Sequence, residues 1–166
     1  MDNNKILIGS IDNNIYLKAI GHITANLCFP MREDLFKKIS LMKSKINIFF
    51  DLSETTYMDS TFIGLLVGID KKLKNTFNNN LLIVKPTEIV IELLSKMNLI
   101  NFLKRSEEKL PDDINYSVFD ETIDISEIEK TKIILIAHKD LSSISIENKK
   151  KFKSLTDILE KQIQEK

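Results

Sequence analysis

The chain has 166 residues, 43% of them hydrophobic and 29% charged, so it can bury a sizeable core with no metal or disulfide. Lys+Arg and Asp+Glu each total 24, and zero net charge argues against nucleic-acid binding through a basic surplus. One cysteine, Cys28, excludes an internal disulfide framework and a multi-cysteine zinc site. His22 and His138 stand far apart with no second ligand type beside either, which disfavours zinc or a His-dependent catalytic centre. The start, Met1-Asp-Asn-Asn-Lys, lacks the basic and apolar regions of a secretory signal, and no window approaches a membrane span. The expected location is the cytoplasm, with no cofactor.

In chain order, Ile6 and Ile8, then Ile15, Leu17 and Ala19, alternate with polar neighbours on either side of Asp12-Asn13-Asn14. This predicts an antiparallel hairpin. After Gly21 and Phe29-Pro30, the helical spacing of Leu35, Phe36, Ile39 and Met42 predicts a helix over 30–43. Ile46–Leu52 is dense in β-branched and aromatic residues and reads as a strand buried on both faces. Ser53–Tyr57 reads as a polar loop.

Asp59-Ser60 then opens a helix in which Phe62, Leu65, Leu66, Ile69 and Leu73 form a core-facing stripe against Ile46–Leu52. Asn78-Asn79-Asn80 ends it, and Leu81–Val84 follows as another strand. Val90, Leu93, Leu94, Met97 and Ile100 mark a third helix, and 102–106 has room for a last strand. The order ββαβαβα, with single helices between strands, implies parallel neighbours and right-handed crossovers.

The composition changes beyond that point. Residues 107–129 carry nine acidic side chains and one lysine, Lys109, interrupted by Pro111. They read as an irregular acidic connector, with room for a short strand at Tyr116–Phe119. Ile128–Leu141 and Ile144–Ile163 follow as helices. Their apolar stripes are too narrow for stability in isolation, so they must pack on something. The broad run Ile133–Ala137 suits the body of the protein. The last helix, with its lysine-rich face at Lys149–Lys153, suits contact with another molecule, a second copy of the chain included. The expected division is therefore a domain over 1–108, a connector over 109–127 and a helical extension over 128–166.

The usual enzyme signatures are absent. Gly9, Gly21, Gly64 and Gly68 are scattered and form no phosphate loop, and the pair Asp51 and Asp59 has no accompanying His or metal cluster. The expectation is a protein that is not an enzyme and has no catalytic or metal-binding residue. The informative stretch is Asp51 to Gly64. On local chemistry Asp59 or Ser60 is an N-cap for the helix. The same position would hold a phosphate on Ser60 beside free N–H groups and a favourable dipole.

The strand ending Asp51-Leu-Ser53, then Met58-Asp59-Ser60-Thr61-x-x-Gly64-x-Leu66, resembles the signature of STAS domains, and among them bacterial anti-sigma factor antagonists. The resemblance covers roughly residues 5–106. It implies an α/β fold, a mostly parallel mixed sheet with an N-terminal antiparallel hairpin and helices packed on it, here with the C-terminal helical extension added. It further implies that Ser60 accepts phosphate from an anti-sigma factor that is also a serine kinase. The unmodified form would bind that partner and the phosphorylated form would release it, with no nucleic acid or membrane involved. Residue by residue, Asp59 matches the motif Asp, Ser60 the phosphoacceptor and Gly64 the small helix position, with Thr61 and Phe62 in the partner-binding stretch. Two positions depart from the pattern: Phe62 stands where many antagonists have Gly, and Thr24 where many have a carboxylate. An alternative is a STAS-type scaffold or accessory subunit of a larger assembly in which Ser60 is never modified. Among the remaining residues, Cys28 is expected in the core, His22 in a solvated loop, and Lys149–Lys153 on a solvated helix face.

Overall fold

A computed structural model describes residues 3–119 and 124–165. Strands β1 (Lys5–Ile11) and β2 (Asn14–Ile23) form the hairpin, with Asp12 in the left-handed conformation at its turn. Helix α1 (Ala25–Leu41) leads to β3 (Asn47–Met58), α2 (Ser60–Phe77), β4 (Leu81–Val84), α3 (Glu88–Lys96) and β5 (Lys104–Ser106). A two-residue strand β6 (Ser117–Val118) follows, then α4 (Glu127–Ser142) and α5 (Ile146–Gln164). The six strands lie in the order β5-β4-β3-β2-β1-β6. Pairing is parallel from β2 to β5 and antiparallel at β1 with both its neighbours. This is the mixed, mostly parallel sheet with an antiparallel hairpin that the pattern implied.

The core lies between the sheet and its helices. Leu17, Phe50, Leu52 and Ile83 from the strands meet Leu35, Ile39, Leu66, Ile69, Leu73 and Val90 from α1, α2 and α3. The stripe on α2 therefore faces the sheet as read. Asp70, buried on the same helix, accepts the Leu81 N–H at 2.9 Å and so ties α2 to the start of β4. The opposite face of the sheet carries a smaller cluster of Tyr16, Phe49 and Val84, covered by Leu110, Ile114 and Tyr116. A Cβ at Gly9 would overlap the side chain of Ile114, so the glycine admits this crossing segment. The acidic stretch is thus anchored at several apolar points, and Phe119 joins the main core.

Two boundaries differ from the sequence reading. Ser53–Tyr57 is strand, because β2 extends to Ile23 and pairs with β3 up to Met58, with register shifts after Lys18 and Gly21. Thr55, buried at 1% exposure, donates its hydroxyl to the Ala19 carbonyl at 2.8 Å, which gives a polar residue a place inside the sheet. Helix α1 starts at Ala25, five residues before Pro30, so Pro30 lies within it. The reason is remote capping: the Ala25 N–H donates to the Asp59 carboxylate at 2.8 Å. His22 is also on β2 and exposed, stacked on Tyr57 with ring centroids 4.6 Å apart, and not in a loop. Cys28 is fully buried.

Helices α4 and α5 pack as a pair, and α4 lies along α2. Leu141 and Phe152 enter the main core. Asn148, 1% exposed, fastens the pair at its far end by donating to the carbonyls of Met97 at 2.8 Å and Leu141 at 3.0 Å. Ile158 remains 54% exposed on α5. Among the described residues, no helix is long and apolar enough to cross a membrane.

Candidate functional site

Asp59 sits where β3 ends and α2 begins. Its backbone is extended, and its N–H donates to the Ile23 carbonyl at 3.1 Å, which holds the ends of β2 and β3 together. One carboxylate oxygen accepts the Phe62 N–H at 2.9 Å as the cap of α2, and the other accepts the Ala25 N–H of α1. A single side chain thus satisfies an orphan donor on each of two helices. Of the two residues that local chemistry left open as the cap, Asp59 fills the role and Ser60 is released from it.

Ser60 is the first residue of α2 and is half-buried. Its hydroxyl lies 2.8 Å from Nε2 of His138 on α4. The other ring nitrogen of His138, Nδ1, lies 2.8 Å from the Ile134 carbonyl, which can only accept. Nδ1 therefore carries the proton, and in the neutral ring Nε2 accepts from the Ser60 O–H. His138 is 1% exposed and its ring packs edge-on against Phe152 of α5 at 5.3 Å. Burial lowers the His138 pKa, opposed by the Ile134 hydrogen bond and by the charge of Asp59.

The folded state therefore takes up a proton on His138 less readily than the unfolded chain, whose imidazole titrates near about pH 6.5. As pH falls through that value, protons bind preferentially to the unfolded chain and stability drops. Thermal melts between about pH 7.5 and 5.5 should show this slope, and His138→Gln should flatten it. Equal slopes in both chains would contradict the assignment.

Of the other residues in the motif, Thr61 is buried at 6% exposure and Gly64 is covered by α4. A Cβ at Gly64 would overlap the carbonyl oxygen of Ala137, and one at Gly68 would lie 2.9 Å from a carboxylate oxygen of Asp140. These two positions, four apart, form the seat on which α4 rests. Phe62 corrects an expectation. It is fully buried with its ring edge-on to Phe50 at 5.5 Å, because the first turn of α2 faces the sheet, so it offers no surface to a partner. Thr24 is the N-cap residue of α1, without a side-chain cap bond, next to the Asp59 contact. The structure therefore gathers Asp59, Ser60, Thr61 and Gly64 at one helix start, and adds His138. Among the described residues, no three His, Cys, Asp or Glu side chains are grouped to hold a metal.

The STAS domain model matches residues 6–113, and the chain belongs to that family. The fold is similar to that of the anti-sigma factor antagonist SpoIIAA in its unphosphorylated form, with a TM-score of 0.54 at 15% identity. That match covers 61% of this chain and 87% of the other. The phosphorylated form of SpoIIAA, described as a Bacillus cell fate determinant, matches with a TM-score of 0.50 at 14% identity. It covers 61% of this chain and 90% of the other. No curated protein sequence matches the chain. The family match ends before α4 and α5, so the helix that covers Ser60 lies outside the part shared with the family.

Proposed function

We propose that the chain is a phosphorylation-switched interaction regulator of the anti-sigma factor antagonist type. It binds a serine-kinase anti-sigma factor while Ser60 is unmodified and releases it once Ser60 carries phosphate. In this reading the chain is the kinase's substrate and catalyses nothing itself. The observation that carries it is the position of Ser60: directly after the capping Asp59, at the start of α2, with its hydroxyl not used as the cap. A phosphate there would lie beside the positive N-terminal end of α2, which suits a dianion. Family membership and the likeness to SpoIIAA support the class of partner.

One observation favours a second reading. Ser60 already has a partner inside the chain, His138, on a helix outside the residues that the family model matches. A STAS-type scaffold or accessory subunit that is never modified would have that arrangement too. Binding to a serine-kinase anti-sigma factor separates the readings. Under the first, Ser60→Ala keeps binding and prevents release by ATP, while Ser60→Asp weakens binding at least about tenfold, or about 1.4 kcal/mol. Equal affinity of both variants and the parent chain would favour the scaffold.

A further inference from the structure

The contact between Ser60 and α4 is built on both sides. On α2, residues 61–70 are all buried, although only one side of a helix can face a sheet. Ile63, Gly64, Val67 and Gly68 continue the apolar surface around the helix, so α2 needs a second cover. Helix α4 supplies it, seated so closely on Gly64 that there is no room for a methyl group. On α4, His138 is a buried polar side chain whose outer nitrogen is satisfied by the Ser60 hydroxyl.

We infer that α4 is an internal latch on the switch serine: a phosphate on Ser60 and a docked α4 exclude one another, so modification frees α4 from the α2 face. This rests on the reading of Ser60 as the phosphoacceptor. In the modification, the Oγ–H bond breaks, Oγ bonds to the γ-phosphorus of ATP, ADP leaves and the proton passes to solvent. Oγ then has no hydrogen to donate. The lone pair of Nε2, buried, faces an ester oxygen and close to two negative charges, with the Asp59 carboxylate nearby. The backbones of α2 and α4 are already in contact at Gly64, so a phosphate finds no space between Ser60 and His138 unless α4 moves. The far end of the pair stays tethered through Asn148 to Met97, whereas the Lys71–Asp140 ion pair at 3.2 Å joins α2 to α4 and breaks as α4 leaves. Movement of α4 uncovers Thr61, Gly64, Leu65 and Gly68 on one helix and Ile133 and Ala137 on the other. The latch thereby couples the charge on Ser60 to the exposure of an apolar surface.

The test is amide hydrogen exchange on the full chain with phosphoserine installed at position 60 during synthesis, so that no kinase or partner is needed. Measured at about pH 8, above the ordinary titration range of an imidazole, exchange over residues 127–142 should rise at least about tenfold relative to the unmodified chain, while β3 keeps its protection. Unchanged protection of α4 would overturn the latch, and so would loss of protection throughout the chain, because α4 would then not be separable from the body. Gly64→Leu supplies a neutral arm: it should raise exchange over the same residues with Ser60 untouched, and unchanged protection there would also count against the latch. Failure of a kinase to modify Ser60 would sink the functional reading and leave these outcomes as they are.

Discussion

A chain ended after residue 108 should melt well below the full chain or fail to stay soluble. The cut removes Phe119, Leu141 and Phe152 from the main core and takes β6 from the edge of β1. It also strips α4 from a face of α2 that is apolar at Gly64, Leu65 and Gly68. Each large side chain lost from a core costs roughly 2–5 kcal/mol. At about 2–4 °C per kcal/mol for a domain of this size, the melting temperature should fall by on the order of 10 °C or more. Calorimetry of the two chains decides the matter. A shortened chain as soluble and as thermostable as its parent would mean that α4 and α5 are an independent arm.

Asp59→Ala should be the most damaging single change at the helix junction. It leaves both the Phe62 and Ala25 N–H groups without their acceptor, at the starts of two helices. Hydrogen bonds to a charged group contribute about 1.5–3 kcal/mol each, so the loss should reach about 3–6 kcal/mol in denaturant unfolding. An ordinary N-cap is worth only about 1 kcal/mol. Asp59→Asn should fall between, since one amide oxygen remains to accept. A loss for Asp59→Ala no greater than that of one cap would show that the bond to α1 contributes nothing.

The sheet and its first three helices were legible because their signals are local. Alternation marks β1 and β2, β-branched density marks β3, and the spacing from Phe62 to Leu73 fixes which side of α2 meets the sheet. What could not be read depends on partners remote in sequence. Ser53–Tyr57 looks polar, and only the length of β2 beside it makes it strand. The start of α1 is set by a carboxylate 34 residues away, which a rule placing Pro30 in the first turn cannot anticipate. His138 went unrecognised because its partner, Ser60, lies 78 residues earlier. A signal for the contact was nevertheless present. Helix α2 has no polar side before Asp70, and the small residues at 64 and 68 stand one turn apart on the side away from the stripe. A helix apolar all round must be covered twice. The first cover is the sheet, and the second was waiting in the broad run Ile133–Ala137.

The position of phosphate in the chain tests the central claim most directly. After incubation of the full protein with ATP and a serine-kinase anti-sigma factor, fragmentation mass spectrometry should place a single phosphate on Ser60, and none on the Ser60→Ala chain. Phosphate on Thr55, Thr56 or Thr61 instead, or none on the parent chain, would contradict it.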